Sequence, residues 1–322
     1  MNDTHLPRVE HAPTAPMERF DLAAEDGFRL SAMRWVPKRP RAILQLSHGM
    51  AEYAARYAPF AAACAAAGIA VYAHDHRGHG GSIDEATPLG FFAAEDGWAK
   101  VVNDLHTMHE HARAEHPNVP LFFFGHSMGS FLGRAYLLAH KGEVSGAILS
   151  ATGWRAGPLN HVLRMVAQRE SRKHGPRTPS PRMSNLVFGT FNLRFRPART
   201  EFDWLSRDTT TVDRYIADPL CGFPCTGQLW ADLFAGLSDV ERAESDPSRL
   251  ARAVPLLLVV GSHDPVSMGG LGHAQLAKCY RAAGNVDVDD RRYPEARHEL
   301  INETNRNQVW SDIVGWIREH SS

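Results

Sequence analysis

Short runs of apolar residues alternate with segments of helical periodicity through most of the chain. Runs such as AILQLS, IAVYAH, LFFF and LLLVV are typical of strands buried on both faces of a parallel sheet. Segments between them, such as residues 98–108, place apolar side chains at three- and four-residue intervals and predict covering helices. A hairpin around Asp26 and Gly27 predicts antiparallel strands at one edge. The pattern predicts an α/β fold with a mostly parallel, eight-stranded sheet and helices on both faces.

The alternation stops after Thr152 and resumes later in the chain, which predicts an insertion in one α/β domain. We assign residues 18–152 and 241–322 to the core and residues 153–240 to a helical cap (lid) insertion. Residues 1–17 contain no long apolar run and are predicted to be a flexible N-terminal arm.

One strand-to-helix junction carries a candidate nucleophile. Residues 125–129, GHSMG, fit the pattern G-x-S-x-G directly after an apolar strand and directly before a helix. Gly125 and Gly129 would let strand and helix approach without a Cβ clash. The turn would hold Ser127 in a strained conformation at the carboxyl edge of the sheet, beside His126. We therefore predict that Ser127 is a nucleophile.

A nucleophilic serine needs a histidine as base and an acid that orients the histidine. In this architecture the acid and then the histidine follow the serine in the sequence, and the acid lies directly after a strand. Asp264 ends the segment PLLLVVGSHD and lies at that place. Of the later histidines, His273 falls within a predicted helix and His320 lies almost at the C-terminus, whereas His298 follows the last strand. The predicted triad is Ser127, Asp264 and His298.

An oxyanion hole needs two backbone N–H groups that point at the developing charge. The residue after the nucleophile, Met128, is expected to supply one. The loop SHGM after the third strand is expected to supply the other from Met50, with His48 and Gly49 shaping the loop. Because one such donor changes the rate by roughly 10²–10³, this loop matters nearly as much as the triad.

With these residues placed, the chain resembles the α/β-hydrolase superfamily and its monoacylglycerol lipase and lysophospholipase-like branch, with a serine aminopeptidase S33-type domain. The matching segments, from residue 18 onward, are HGMAEYAARYAPFA, DHRGHGGS, GHSMGS, YIADPL, GSHDPVS and ARHELINE. One position departs, because the family's loop usually continues as Glu-His whereas Tyr53 follows Glu52 here. The resemblance implies esters with one long acyl chain as substrates and no metal or organic cofactor. It also implies structural hydrogen bonds for Asp75 and Arg77.

Composition narrows the alternatives. A net charge of −1 over 322 residues gives no basic field that would argue for nucleic acid as a partner. The four cysteines are scattered, and free thiols are favoured over the alternative of a Cys221–Cys225 disulfide. His106, His109 and His111 lie on a predicted helix, where an i, i+3 spacing can bind zinc, but no glutamate completes a zincin pattern, so we predict no metal site. The lack of a secretory signal predicts a cytoplasmic protein, with peripheral membrane association as a further alternative.

The predicted cap has an unusual charge distribution. Residues 155–200 carry ten lysines or arginines against the single acid Glu170, interleaved with aliphatic and aromatic residues. One interpretation is an apolar cavity over the serine with a basic rim that contacts membrane surfaces transiently. The other is a solvated cap whose arginines pair with the acidic stretch 201–218. Both interpretations remain open at this point.

These features predict a serine carboxylic ester hydrolase that acts on a small lipid ester. The expected enzyme is a monoacylglycerol lipase or lysophospholipase that releases a fatty acid through an acyl-enzyme on Ser127. A general carboxylesterase, an acyltransferase or a peptidase would use the same triad. A non-catalytic ligand-binding protein on this fold would commonly lack a triad member, and all three are present here.

Overall fold

The computed structural model describes residues 15–250, 254–285 and 287–321. The strands are Glu18–Ala23 (β1), Arg29–Trp35 (β2), Ala42–Ser47 (β3), Ile69–His74 (β4), Leu121–His126 (β5), Gly146–Ser150 (β6), Leu256–Gly261 (β7) and Val288–Tyr293 (β8). The helices are Ala58–Ala66 (α1), Gly97–Glu115 (α2), Met128–Ala139 (α3), Pro158–His174 (α4), Pro181–Phe188 (α5), Thr209–Ala217 (α6), Gly227–Glu244 (α7), Pro247–Leu250 (α8), Leu271–Ala282 (α9) and Arg306–Glu319 (α10). The predicted arm, residues 1–17, lies outside the described residues except for its last three.

All eight strands belong to one sheet in the order β1-β2-β4-β3-β5-β6-β7-β8. The hairpin strands β1 and β2 pair antiparallel, and β2 pairs antiparallel with β4. Every other neighbouring pair is parallel. The predicted α/β fold, with a mostly parallel eight-stranded sheet and an antiparallel edge, is confirmed.

The central strand β5 shows how the sheet is covered on both faces. Successive side chains of a strand point to opposite faces. Phe123 accordingly packs in the core layer that includes Leu105 of α2 and Leu132 of α3. Its neighbours Phe122 and Phe124 pack in the other layer, with α1 and α10. An uninterrupted apolar run is therefore the expected pattern for this strand.

The long insertion between β6 and β7 contains α4 to α8. A Cβ on Gly227 of α7 would lie 2.8 Å from the Ser171 nitrogen of α4, so these two helices pack closely. A Cβ on Gly236 would lie 2.1 Å from the Trp98 ring, so α7 also packs against α2. Helix α7 continues to Glu244, beyond the predicted cap boundary at residue 240.

Two further predictions concern disulfides and membrane spans. All four cysteines have free thiols, and Cys221 and Cys225 are both buried. The preference for free thiols is confirmed. Within the described residues, every helix is too short or too polar to span a membrane.

The loop after β4 is fixed by buried polar contacts. Asp75 accepts hydrogen bonds from the Ala54 and Gly81 N–H groups, each at 2.8 Å. Arg77 donates from Nε and Nη2 to the Asp104 carboxylate at 2.7 and 2.8 Å. The structural hydrogen bonds that the resemblance implied for Asp75 and Arg77 are confirmed.

His74, His76 and His79 are buried in and after the end of β4. Within the described residues, neither ring nitrogen of His74 has a hydrogen-bond partner. Burial lowers the pKa of His74 from 6.5 to about 4, and burial likewise lowers the pKa of His79 to about 4. Between pH 6.5 and about pH 4, the unfolded chain therefore binds protons at these histidines that the folded protein does not bind.

We predict that the protein is destabilised as the pH falls from about 6.5 towards about 4, because protonation of these histidines favours the unfolded chain. His74→Phe removes one such group and should reduce the loss. The measurement is the free energy of unfolding in urea at pH 7 and pH 5 for the wild type, His74→Phe and the control His161→Phe, whose side chain is exposed. An equal loss in all three proteins would contradict the prediction.

Trp316 of α10 is fully buried and its ring packs against Phe122, with centroids 5.9 Å apart. We predict that Trp316→Ala destabilises the protein by about 3–5 kcal/mol, because the ring leaves a cavity against the sheet. Thermal unfolding should show a clear decrease in Tm. Leu271→Ala is the control, since that side chain is 65% exposed. A similar Tm for both variants would contradict this account of the packing.

Candidate active site

Ser127 lies in the turn between β5 and α3 with φ 51° and ψ −119°, a conformation rare for a residue with a side chain. The turn is possible because the chain approaches itself closely on both sides. A Cβ on Gly125 would lie 2.4 Å from the Gly129 oxygen, and a Cβ on Gly129 would lie 2.2 Å from the Ser47 oxygen. Side chains at either position would displace backbone. The sharp strained turn predicted from the glycines is confirmed.

His298 and Asp264 meet behind this turn. Nδ1 of His298 lies 2.8 Å from Oδ1 of Asp264, and both side chains are buried. Because a carboxylate accepts, the ring donates from Nδ1 and leaves Nε2 free to accept a proton. The same Asp264 oxygen accepts the Val266 N–H at 3.0 Å, which orients the carboxyl group. The arrangement fixes the tautomer that a general base requires.

Ser127 and His298 line one cavity, although no hydrogen bond joins their side chains within the described residues. Such bonds are often long in ligand-free enzymes. The His126 ring lies 4.8 Å from the His298 ring, between centroids. Burial, and then the charge of His298, lower the pKa of His126 well below its ordinary value. His126 is therefore a weak base.

Met50 and Met128 belong to the same cavity lining as Ser127. Met50 follows β3, Met128 is the first residue of α3, and both line the cavity. Within the described residues neither N–H donates to a protein acceptor. Unpaired N–H groups at the start of a helix bind anions readily. Both groups are therefore available to an oxyanion.

His48 orients the peptide group that carries the Met50 N–H. Its Nε2 accepts the His76 N–H at 2.9 Å, so the ring proton lies on Nδ1, which donates to the Gly49 carbonyl at 2.7 Å. That carbonyl and the Met50 N–H belong to one planar trans peptide and point in opposite directions. Burial, and then the charge of His79, lower the pKa of His48 well below its ordinary value. The neutral tautomer that holds the peptide is thus maintained.

Glu52 is a buried residue of the site for which no role was predicted. Its Oε1 accepts the Gly49 N–H at 2.6 Å and the Tyr57 hydroxyl at 2.8 Å. It thus holds the Gly49 N–H while His48 holds the Gly49 carbonyl. The only signal in the sequence is an acidic side chain two residues after Met50, where it can fold back onto the loop.

The cavity has a volume of about 900 Å³. Six of the residues predicted for the site line this cavity: Gly49, Met50, His126, Ser127, Met128 and His298. The other four are not part of the lining: Asp264, His48, Gly125 and Gly129. Helix α7 contributes an apolar face to the lining, formed by Trp230, Leu233, Phe234 and Leu237. Helix α5 contributes the polar Ser184 and Asn185 together with Val187 and Phe188 at its C-terminal end.

The histidines of α2 lie elsewhere. His106 packs against His140, and their Nδ1 atoms lie 3.3 and 3.2 Å from oxygens of Glu143. The two rings are stacked, with centroids 4.0 Å apart and planes at 17°. These three side chains lie between α2 and the turn after α3, and none of them lines the cavity at Ser127.

Comparison with known proteins agrees with this geometry. The family described as serine aminopeptidase, S33, matches residues 38–305. A monoacylglycerol lipase of Mycolicibacterium smegmatis is 32% identical over 305 residues, which cover 93% of this chain and 96% of that protein. A monoglyceride lipase of Homo sapiens is 28% identical over 307 residues, covering 94% and 90%. A thermostable carboxyl esterase of Bacillus coagulans, solved with glycerol, has a TM-score of 0.85 at 25% identity, covering 95% and 99%.

The family match includes the turn at Ser127, Asp264 and His298. The fold and the order of these residues along the chain agree with the resemblance inferred from the motifs. The chain therefore belongs to the serine aminopeptidase, S33, family of the α/β-hydrolase superfamily.

Proposed function

We propose that the protein is a serine carboxylic ester hydrolase that cleaves monoacylglycerols through an acyl-enzyme on Ser127. The observation that carries the proposal is the set of unpaired Met50 and Met128 N–H groups beside Ser127, with His298 held by Asp264. This arrangement supplies a nucleophile, a base and an anion site in one cavity. The relatives named as monoacylglycerol and monoglyceride lipases support the choice of substrate.

In the first half of the proposed reaction, Ser127 Oγ attacks the ester carbonyl carbon while Nε2 of His298 takes its proton. The Met50 and Met128 N–H groups stabilise the oxyanion, and Asp264 holds the imidazolium. The bond from the carbonyl carbon to the alcohol oxygen breaks, and that oxygen receives the proton from His298. In the second half, water attacks the acyl-enzyme as His298 takes its proton, and the fatty acid leaves as Ser127 regains a proton.

The cavity suits a substrate with one long apolar chain. Its volume of about 900 Å³ lies within the range of ligand pockets. On α7, Trp230, Leu233, Phe234 and Leu237 recur at three- and four-residue intervals, so one helix face lies along the cavity. Within the described lining, Glu201 is the one acid without an ion pair, and it is exposed. The two buried acids of the same lining, Glu52 and Glu299, are both paired with Arg56. The described lining therefore offers no unpaired buried acid to the free amine of a peptide, which favours an ester over an aminopeptidase substrate.

We include the assignment of residues 153–240 as a cap in this proposal, with the core formed by residues 18–152 and 241–322. Support comes from the cavity lining, because α5 and α7 of the insertion cover the space in front of Ser127. The insertion would therefore select the acyl chain, while the core performs the chemistry.

We predict that Ser127→Ala retains the fold and loses hydrolysis of p-nitrophenyl esters and monoacylglycerols by at least about 10³-fold, because the acyl-enzyme cannot form. The measurement is turnover of short-chain esters, monoacylglycerols, lysophosphatidylcholine and aminoacyl anilides, with glycerol as a competing acceptor. Ser238→Ala is the control, since that hydroxyl only donates to the Phe234 carbonyl of its own helix.

Monoacylglycerols should give the highest kcat/KM in this panel. Near wild-type ester hydrolysis by Ser127→Ala would refute the nucleophile. Preferential turnover of lysophosphatidylcholine or of an aminoacyl anilide would refute the substrate class, and net acyl transfer to glycerol would identify a transferase.

We also propose that the basic cap contacts anionic lipid surfaces. Within the described residues, one arginine of the segment 155–200 pairs with the acidic stretch that follows, namely Arg199 with Asp213. On α4, four basic residues have no ion pair in the described part of the chain: Arg164, Arg169, Arg172 and Lys173. The same helix exposes the apolar side chains Leu159, Val162 and Met165. Apolar residues flanked by cations are the composition of an interfacial helix.

We predict that replacing Arg169, Arg172 and Lys173 together with glutamine weakens binding to vesicles containing phosphatidylglycerol. Each basic residue near an anionic surface contributes about 1 kcal/mol, so affinity should fall by at least about tenfold. Vesicle co-sedimentation at low salt measures this. The control replaces Lys38, Arg39 and Arg41, which are exposed in the segment between β2 and β3 and lie outside the insertion, with the same change of charge. Equal binding of the wild type to neutral and anionic vesicles would refute the proposal.

A further inference from the structure

Arg56 forms a buried charged cluster with two glutamates. Its Nη1 and Nη2 donate to the two oxygens of Glu299 at 2.8 and 2.7 Å, and Nη1 also donates to Glu52. The side chains are 11%, 4% and 4% exposed for Arg56, Glu52 and Glu299. Because both oxygens of Glu299 accept from the guanidinium, the pair fixes the relative orientation of the two planar groups as well as the distance between them.

Each glutamate of this cluster belongs to a different part of the candidate site. Glu52 accepts the Gly49 N–H at 2.6 Å and so holds the loop that carries the Met50 N–H. Glu299 directly follows His298 in the chain. One guanidinium therefore joins the loop after β3 to the loop after β8.

The insertion also contacts this cluster. The Tyr215 ring of α6 lies 4.8 Å from the Arg56 guanidinium, and the Tyr215 hydroxyl donates to the Ala51 carbonyl at 3.2 Å. The Gly222 N–H donates to the same carbonyl at 2.9 Å. The insertion thus holds Ala51, which lies between Met50 and Glu52, while its aromatic ring covers Arg56.

The charges in this cluster depend on Arg56. Burial, with the charge of Glu299 as an additional cause, raises the pKa of Glu52 above its ordinary value. Burial alone would also raise the pKa of Glu299, but Arg56 lowers it below its ordinary value. Without the cation, two carboxylates would share one buried space next to His298, and at least one would move or bind a proton.

We propose that Arg56 is a positioning residue that fixes two loops relative to each other. One is the loop after β3 that carries Met50 (the oxyanion loop), and the other is the loop after β8 that carries His298 (the His298 loop). The proposal rests on the hydrolase function above. A buried ion pair is weak evidence of stability, because desolvation offsets much of the attraction. The partners of Arg56 favour a geometric role. Glu52 holds the loop that carries the Met50 N–H, and Glu299 belongs to the loop that carries His298. Displacement of either loop by about 1 Å can lower a rate by about 10²-fold.

The chain contains a matched control. Arg134 of α3 donates to the two oxygens of Glu244 at 2.8 and 2.6 Å, and both side chains are almost fully buried. This pair joins α3 to α7 and does not contact the oxyanion loop or His298. Arg134→Met should therefore destabilise the protein in the same way as Arg56→Met while leaving catalysis by the folded fraction intact.

The experiment measures kcat and KM for a monoacylglycerol with Arg56→Lys, Arg56→Met, Arg134→Met and the double variant Arg56→Met/Glu299→Gln. Completed labelling by a fluorophosphonate counts the intact sites, and thermal unfolding measures stability. We expect both Arg56 single variants to lose about 10–100-fold in kcat per site with KM within about threefold. Arg134→Met should keep the wild-type kcat per site.

The double variant separates geometry from stability. Neutralising one of the two carboxylates left unpaired should restore part of the lost stability without restoring kcat, because the two loops stay unconnected. Full kcat per site in Arg56→Lys, or a kcat that rises with stability in the double variant, would overturn the positioning role while leaving the hydrolase function intact. A wild type that neither hydrolyses the monoacylglycerol nor reacts with the fluorophosphonate would overturn both.

Discussion

The close contact between Gly129 and the Ser47 carbonyl is the constraint on which the candidate site depends. It brings the first turn of α3 against the end of β3, with no room for a Cβ. Ser127 is thereby held in its strained turn beside the loop that follows β3. Because parallel strands end at the same edge of the sheet, the loops after β7 and β8 deliver Asp264 and His298 to the same place. One backbone contact thus joins the Ser127 turn to the loop after β3, and the parallel direction of the strands brings the other two loops to the same edge.

The parts of this arrangement that depend on local pattern and chain order could be predicted from the sequence. Ser127 is identified by the glycines of its turn, and Asp264 and His298 by where they follow strands. Arg56 could not be identified in this way, because its partner Glu299 is 243 residues away in the sequence. Nothing in the sequence around either residue indicates the pairing. The end of α7 at Glu244 could not be predicted either, because the helix continues without a break across the predicted boundary at residue 240.

Buried polar groups are concentrated where the site needs fixed directions. His48 and Glu52 are buried and Arg56 is largely buried, and each has a partner on the oxyanion loop or beside His298. Desolvating such groups is unfavourable, and apolar residues could fill the same volume. Apolar packing, however, cannot set the orientation of a single peptide plane. A neutral histidine with one defined tautomer can, since it accepts from the His76 N–H and donates to the Gly49 carbonyl.

The insertion has two physical connections to the chemistry. Its helices α5 and α7 line the cavity where the acyl chain is proposed to bind, and its α6 segment bonds to Ala51 and covers Arg56. The backbone carbonyl of Leu205 in the same insertion accepts the Glu299 N–H at 2.7 Å. A movement of the insertion on binding a long chain would therefore reach both the oxyanion loop and the His298 loop. The proposed selection of the acyl chain and the contacts to both of these loops therefore involve one segment of the chain.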